Sequence, residues 1–213
     1  MKEENFIKVL ASGANVPLKV RPGHFATNHS HINYYIDTTT LKTRTSDSQE
    51  IARALAGMYL YDTVVDTIVC MEGTEVIGAY LAEELTKSGF LTANAHKTIY
   101  VVTPEFNNNS QLIFRQNLVP EIAGKHILIL MAMVTTGLSV NKALECVQYY
   151  QGIISGVSSI FSNIAECNGI PIRSVFGQTE IPDYAQYDYR QCPYCAAGVK
   201  LTAMVNAFGY EEL

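Results

Sequence analysis

Charge is scarce in this sequence. Of its 213 residues, 16% are Asp, Glu, Lys or Arg, where an ordinary soluble domain carries about 25%. Tryptophan is absent, there are only five cysteines, and 15 basic residues face 20 acidic ones. Each shortage excludes something. Apolar residues at 48% with a net charge of −5 exclude a disordered chain, which needs low hydrophobicity and high charge. The acidic balance, with a pI near 5.5, argues against a nucleic-acid binder. Five cysteines, an odd number without dense spacing, do not make a disulfide scaffold and fit a reducing, cytoplasmic setting. The start, Met1-Lys2-Glu3-Glu4-Asn5, has no apolar run after its charges and does not read as a signal peptide. The uncharged stretch between Glu145 and Glu166 is broken by Gln148, Gln151, Gly152, Ser155, Ser158 and Ser159, too polar for a membrane span. The length suits one sizeable core, at most with a small appended lobe.

What is present reads as strands alternating with helices. Phe6, Ile7 and Leu10 fall at helical spacing, so Glu3 to Ala11 reads as a helix. Pro17 to Arg44 is rich in Gly, Pro, His, Asn and Thr and reads as loops and short strands around Tyr34-Tyr35-Ile36. Ser46 or Asp47 caps a helix through Ile51, Leu55 and Met58. Thr67 to Met71 reads as a buried strand, and Val76 to Ser88 as a helix stopped by Gly89. Thr98 to Val102 and Gln111 to Phe114 read as strands separated by a turn at Asn107-Asn108-Asn109. His126 to Val134 is strongly apolar, as a central parallel strand must be. Leu138 to Tyr150 follows as a helix, then strands near Ile153 to Phe161 and Ile172 to Phe176, and a last helix from about Ala196 to Phe208. This pattern predicts an α/β fold with a mostly parallel central sheet flanked by helices, in which ligands bind beyond the carboxyl ends of the strands. A single domain, 1–213, is expected, with a core at about 46–180 and a small hood at about 1–45 joined by part of the tail.

The most informative segment joins the apolar strand to a helix through Thr135-Thr136-Gly137-Leu138-Ser139. A tight, hydroxyl-rich turn at a helix N-terminus suits a phosphate. Backbone N–H groups converge there, the helix dipole is positive, and the hydroxyls add donors. Gly137 permits close backbone approach. A capped helix start is the plainer alternative. A second turn of this kind, Glu72-Gly73-Thr74-Glu75, also lies between strand and helix, where Thr74 as a cap and Glu75 in the first turn are the plainer roles. Two anion-suited turns on parallel strands open on the same sheet edge.

In this order the two turns resemble a type I phosphoribosyltransferase, and over about residues 16 to 200 the chain is most similar to the orotate phosphoribosyltransferases. The hood resemblance rests on Gly23-His24-Phe25, His29-Ser30-His31 and Tyr34-Tyr35-Ile36-Asp37. That of the tail rests on Cys192-Pro193-Tyr194-Cys195-Ala196-Ala197-Gly198. The resemblance implies that Thr135 to Ser139 hold the 5-phosphate of phosphoribosyl pyrophosphate and that Glu72, Gly73, Thr74 and Glu75 line the pyrophosphate side. Phe25 and Tyr35 are assigned to the base side. The implied reaction belongs to pyrimidine nucleotide metabolism: transfer of ribose 5-phosphate to a pyrimidine base, with Mg²⁺, by a cytoplasmic homodimer. No residue stands out as an acid–base catalyst.

The sequence departs from that family at four places. The acidic pair before the Thr-Thr-Gly turn is replaced by Met131 and Ala132, which cannot accept ribose O–H bonds or stabilise positive charge. The basic mobile loop is replaced by Val102 to Ser110, without a cation; Arg115 and Lys125 only flank it. Asn28 stands where the hood often has Lys, and the orotate-binding Arg is replaced within Ile160 to Asn163. These losses support an alternative: a catalytically impaired homologue that binds a nucleotide or phosphosugar as a sensor or regulatory partner.

Three further features remain. Cys192 and Cys195 form a lone pair, whereas structural zinc takes four ligands. A plain turn is favoured over zinc completed by Cys167 or a partner chain, and over a redox pair. His24, His29 and His31 read as hydrogen-bond donors near a ligand mouth, with a metal site as the alternative. Tyr184, Tyr187, Tyr189 and Tyr194 suit a subunit interface. Neither nucleic acid nor a membrane is an expected partner.

Overall fold

The computed structural model describes residues 6–87, 93–94 and 98–213. In chain order the elements are β1 (Ile7–Val9), β2 (Leu18–Ala26), β3 (His31–Asp37), α1 (Thr39–Thr43), α2 (Thr45–Ala56), β4 (Thr67–Cys70), α3 (Glu75–Lys87), β5 (Tyr100–Val102), β6 (Glu105–Phe106), β7 (Leu112–Ile113), β8 (His126–Val134), α4 (Leu138–Tyr149), β9 (Ile153–Ser162), β10 (Glu166–Cys167), β11 (Ile170–Phe176), β12 (Gln186–Tyr187), α5 (Pro193–Ala196), β13 (Ala203–Asn206) and β14 (Gly209–Glu212).

The core sheet has the order β10-β11-β9-β8-β4-β5. Its pairs from β11 through β9, β8 and β4 to β5 are parallel, and only the short edge strand β10 is antiparallel. β8 lies in the middle because it can be covered on both faces. Ile127, Leu128, Ile129, Leu130, Met131 and Ala132 are all fully buried. Since successive side chains point to opposite faces, Leu128, Leu130 and Ala132 enter one apolar cluster and Ile127, Ile129 and Met131 the other. At roughly 1.5–3 kcal/mol per buried Leu or Ile side chain, this strand anchors both layers.

The hood is a second sheet, ordered β12-β3-β2-β13-β14 with β1 beside β2. Its β2–β3 hairpin is antiparallel, while β13 joins β2 in parallel. Thus the tail closes the hood. Three expectations fail. The opening segment is strand β1, not a helix: its partner is β2, with Ile7 opposite Val20 and Val9 opposite Leu18, and tertiary pairing overrides the local periodicity. The last helix is confined to Pro193–Ala196. The rest of Ala196–Phe208 includes β13, in which Ala203 and Val205 are buried and Met204 and Asn206 exposed, the period-two pattern of a strand. α2 ends at Ala56, short of Met58, and its N-cap is Arg44 without a side-chain cap bond, not Ser46 or Asp47. The expected stop at Gly89 lies outside the described residues.

Gly78 shows how tightly α3 sits on the sheet. A Cβ there would collide with Cys70 Sγ and lie 3.1 Å from Val101 Cγ1. Alanine would gain about 1 kcal/mol of helix propensity, but overpacking a tight core costs about 1–3 kcal/mol. Gly78→Ala is therefore expected to lower the urea midpoint, against propensity; a raised midpoint would show that α3 has room to shift.

Candidate functional site

The sheet ends, the hood and the tail enclose a cavity of about 380 Å³. Its floor is the turn after β8: Thr135, Thr136, Gly137, Leu138 and Ser139 all line it, followed by Val140 and Lys142 of α4. Gly137 takes φ +79° as the N-cap of α4, with no side-chain cap bond. A Cβ there would lie 3.0 Å from Cys167 Sγ and 3.4 Å from Ile164 Cδ1, so both the conformation and the close packing require glycine. The first residues of a twelve-residue helix and the hydroxyl-bearing Thr135, Thr136 and Ser139 thus border one space, with the Thr136 hydroxyl accepting from the Leu138 N–H at 3.5 Å; a helix start of this kind favours an anion. Lys142 adds a cation that the sequence reading missed. Its signal was its position, less than two turns into the helix that follows the hydroxyl-rich turn.

The second turn behaves differently. Glu72 (φ 60°) and Gly73 (φ 79°) are both left-handed. Thr74 is fully buried, and its hydroxyl donates to the Met71 and Leu130 carbonyls at 2.8 and 3.1 Å. Glu75 Oε1 accepts from the Thr103 hydroxyl at 3.1 Å. Of the four residues assigned to the pyrophosphate side, only Glu72 lines the cavity. Its Oε2 accepts from the Ala132 and Met133 N–H groups at 3.2 and 3.3 Å. Met131 and Ala132 themselves point into the two cores and line nothing. The neighbouring turn therefore brings one carboxyl group against the backbone of Ala132, the second acidic-pair position, and of Met133.

Lys42 closes this side. It is almost fully buried, and its ammonium donates to the Glu72 carbonyl at 2.8 Å and the Ala207 carbonyl at 2.6 Å. It also lies 5.3 Å from the Phe208 ring centre, within cation–π range. Around Gly73, a Cβ would meet Phe208 and the Lys42 ammonium at 3.7 and 3.8 Å. The tail thus covers the turn. Burial pushes the Lys42 ammonium below its ordinary range, opposed by Glu72, Glu75 and Asp37. Lys42 was missed because a lysine within Thr-Thr-Leu-Lys-Thr reads as solvent-facing.

Tyr35 is buried, lines the cavity and packs edge-on to Tyr210 with ring centres 5.5 Å apart. Burial raises its phenol well above the ordinary value. Phe25, also assigned to the base side, lies in the hood core and does not line the cavity. Asn28, His29, Tyr184 and Gln186 line the mouth. Tyr184 packs on Phe161 with ring centres 5.2 Å apart, an internal use for one of the tail tyrosines. The loop after β5 brings Phe106 to the cavity but no cation: Arg115 is paired with Glu105 at 2.8 Å, and Lys125 precedes β8 at the end opposite the turn. Magnesium takes hard oxygen ligands. Glu72 offers the lining carboxylate on this side and is already bonded to two N–H groups, so these residues do not make a magnesium cradle of the chain's own.

No protein-family model matches the chain, and no curated protein sequence does. Solved structures do. Mycobacterium tuberculosis orotate phosphoribosyltransferase, in complex with 5-phospho-alpha-D-ribosyl 1-diphosphate, matches with a TM-score of 0.50 at 18% identity, covering 69% of this chain and 82% of that one. The fold is that of the phosphoribosyltransferases. Leishmania donovani UMP synthase gives a TM-score of 0.56 at 15% identity over 84% of this chain and 36% of its own. Adenine phosphoribosyltransferase from Thermoanaerobacter pseudethanolicus gives 0.51 at 16% identity over 68% and 88%. The fold is thus shared with proteins named for different bases.

Burial raises the Glu72 carboxyl above its ordinary 4.5, opposed by the Met133 and Ala132 N–H groups and Lys42. A raised folded-state pKa gives stability that is complete below the unfolded value and is lost as pH rises through the folded one. Glutamine keeps an acceptor for the two N–H groups without titrating. The stability of Glu72→Gln relative to the wild-type chain is therefore expected to increase as pH rises from about 4.5 toward neutrality. Urea midpoints across that range read it directly; parallel curves would show that Glu72 is not desolvated.

Proposed function

We propose that this chain binds a 5-phosphorylated ribose compound, a pyrimidine nucleotide or phosphoribosyl pyrophosphate, as a sensor or regulatory protein of nucleotide metabolism. The turn at Thr135–Ser139 carries this reading. Its left-handed Gly137 begins α4 at the cavity, which the hydroxyl-bearing residues of the turn line together with Lys142. A phosphate there meets backbone N–H groups, hydroxyls and a cation together. Tyr35 and Tyr184, in the cavity wall, give the ribose and base an apolar surface with phenol donors. Binding without transfer is favoured by the Glu72–Thr74 turn, whose backbone is covered by Lys42 and Phe208, and by the buried Met131 and Ala132. Removing one preorganised charge-stabilising group typically costs about 3–4 kcal/mol of transition-state stabilisation.

A second reading is transfer of ribose 5-phosphate from phosphoribosyl pyrophosphate to a pyrimidine base, as the family resemblance implies. One observation favours it: the Glu72 carboxylate stands at the end of β8, against Ala132 and Met133, where negative charge would face a ribose seated on the phosphate turn. A homodimer is part of both readings, as a proposal drawn from the resemblance.

Thermal shift with orotidine 5′-monophosphate, phosphoribosyl pyrophosphate and orotate, each with and without Mg²⁺, separates the readings when combined with a pyrophosphate-release assay. The binding reading expects the phosphorylated ligands to raise Tm by about 5–10 °C at a hundredfold excess over Kd, with no pyrophosphate released. Mg²⁺-dependent release on adding orotate would establish transfer, and silence toward every phosphorylated ligand would remove both. In the same assay, Thr136→Val and Ser139→Ala are each expected to weaken nucleotide binding about tenfold or more, the worth of a hydrogen bond to a charged group.

A further inference from the structure

The lone Cys-x-x-Cys pair of the tail is not alone in space. His24 of β2, His31 of β3, Cys192 and Cys195 bring one ligand atom each within 4.8 Å of one another. His24 Nε2 lies 3.0 Å from His31 Nδ1, 3.5 Å from Cys192 Sγ and 3.7 Å from Cys195 Sγ, and Cys195 Sγ lies 3.3 Å from His31 Nδ1. A tetrahedral zinc with bonds of about 2.0–2.1 Å to nitrogen and 2.3 Å to sulfur sets its ligand atoms about 3.3–3.8 Å apart. The observed spacings fall close to that range.

Hydrogen bonding alone does not account for this cluster. The other nitrogen of the His24 ring, Nδ1, lies 2.8 Å from the Val199 carbonyl. A carbonyl only accepts, so Nδ1 carries the proton and Nε2 presents a single lone pair. Three groups crowd that one lone pair. Together the four ligand atoms lie within 4.8 Å of one another, as the ligands of one ion do. The Nδ1–H to carbonyl bond is also the kind of contact that fixes the tautomer and ring direction of a metal-bound histidine.

The backbone is built to hold these four. The β2–β3 register shifts between Pro22 and Phe25, and a bulge of this kind re-aims a side chain; His24 lies within it. Tyr194 stacks on the His24 ring with centres 5.3 Å apart. On the tail, Cys192 caps the short helix with Pro193 at its first position. The Ala196, Gly198 and Val199 N–H groups donate to the Cys192, Cys195 and Tyr194 carbonyls at 3.1, 3.0 and 2.9 Å, and Gly198 is left-handed at φ +70°. This tight turn puts the two sulfurs on one side. Cys167, weighed as a possible third ligand, is elsewhere: its thiol donates to Asn141 Oδ1 at 3.0 Å, beside Gly137.

We propose that His24, His31, Cys192 and Cys195 form a structural zinc site that fastens the tail to the hood hairpin. Two imidazoles and two thiolates are a donor set suited to zinc, and four protein ligands leave no open position for catalysis. The position of the site gives it consequence. A few residues beyond Cys195 the tail enters β13, which pairs with Phe25 and Ala26 of β2. Val205, Asn206, Ala207 and Phe208 then line the ligand cavity. The zinc fixes the near end of the segment that walls the cavity.

The test is zinc content and X-ray absorption on the full-length wild-type protein, purified from zinc-supplemented culture. One zinc per chain is expected, with two sulfurs at about 2.3 Å and two nitrogens at about 2.0–2.1 Å. His31→Ala and Cys195→Ser are expected to lose that zinc, while Cys146→Ala, at a distant buried thiol, retains it. Cobalt substitution of the wild-type protein is expected to give the visible bands of a tetrahedral ion with thiolate charge transfer. Protein without zinc, a Cys192–Cys195 disulfide, a shell of four sulfurs, or retention of zinc by both ligand variants would each overturn the assignment. The wild-type absorption spectrum decides even where a variant fails to fold.

Discussion

A single buried ammonium holds together the parts of this molecule that make its cavity. Lys42 comes from α1, beneath the hood, and its two carbonyl acceptors belong to the Glu72 turn of the core and to Ala207 of the tail. A buried charge is tolerated only when its hydrogen bonds are made. The position of Lys42 therefore constrains three chain segments far apart in sequence at once. Remove the tail and the ammonium loses an acceptor; move the turn and it loses another. The cavity wall formed by Ala207 and Phe208 is a consequence of that tie, as is the cover over Gly73.

The same tie explains the division of labour between the two turns. The turn after β8 borders open space: Gly137 carries the conformation, and the one side-chain bond within it is long, from the Leu138 N–H to the Thr136 hydroxyl at 3.5 Å. The turn after β4 is occupied from within: Thr74 is bonded to Met71 and Leu130, Glu72 to the strand end, and Gly73 lies under the tail. In the proposed reading an anion has one ready seat in this site, not two. This asymmetry favours a ligand gripped by a single phosphate over one that must spread a pyrophosphate across the second turn.

The core sheet was legible because its strands and helices signal locally. The apolar run His126–Val134, the hydroxyl-rich turn after it and the periodic helix beyond form one continuous pattern, and they fall where that pattern puts them. The hood was less legible. Ile7 and Val9 owe their strand to β2, and Ala203 and Val205 owe theirs to β2 and β14; neither dependence leaves a local mark. Lys42 was missed for a related reason. A lysine becomes an internal tie only when partners 30 and 165 residues away supply the carbonyls. The His24, His31, Cys192 and Cys195 cluster was visible as two separate motifs, histidines and cysteines, with nothing in the sequence to join them across more than 160 residues.

The proposed binding depends on one anion seat at the start of α4. Calorimetric titration with orotidine 5′-monophosphate and with orotidine, its unphosphorylated nucleoside, tests that claim most directly. The nucleotide is expected to bind at least a hundredfold more tightly, about 2.7 kcal/mol, as two or more charge-assisted hydrogen bonds would give. Equal affinity for the two compounds would show that the Thr135–Ser139 turn holds no phosphate and would contradict it.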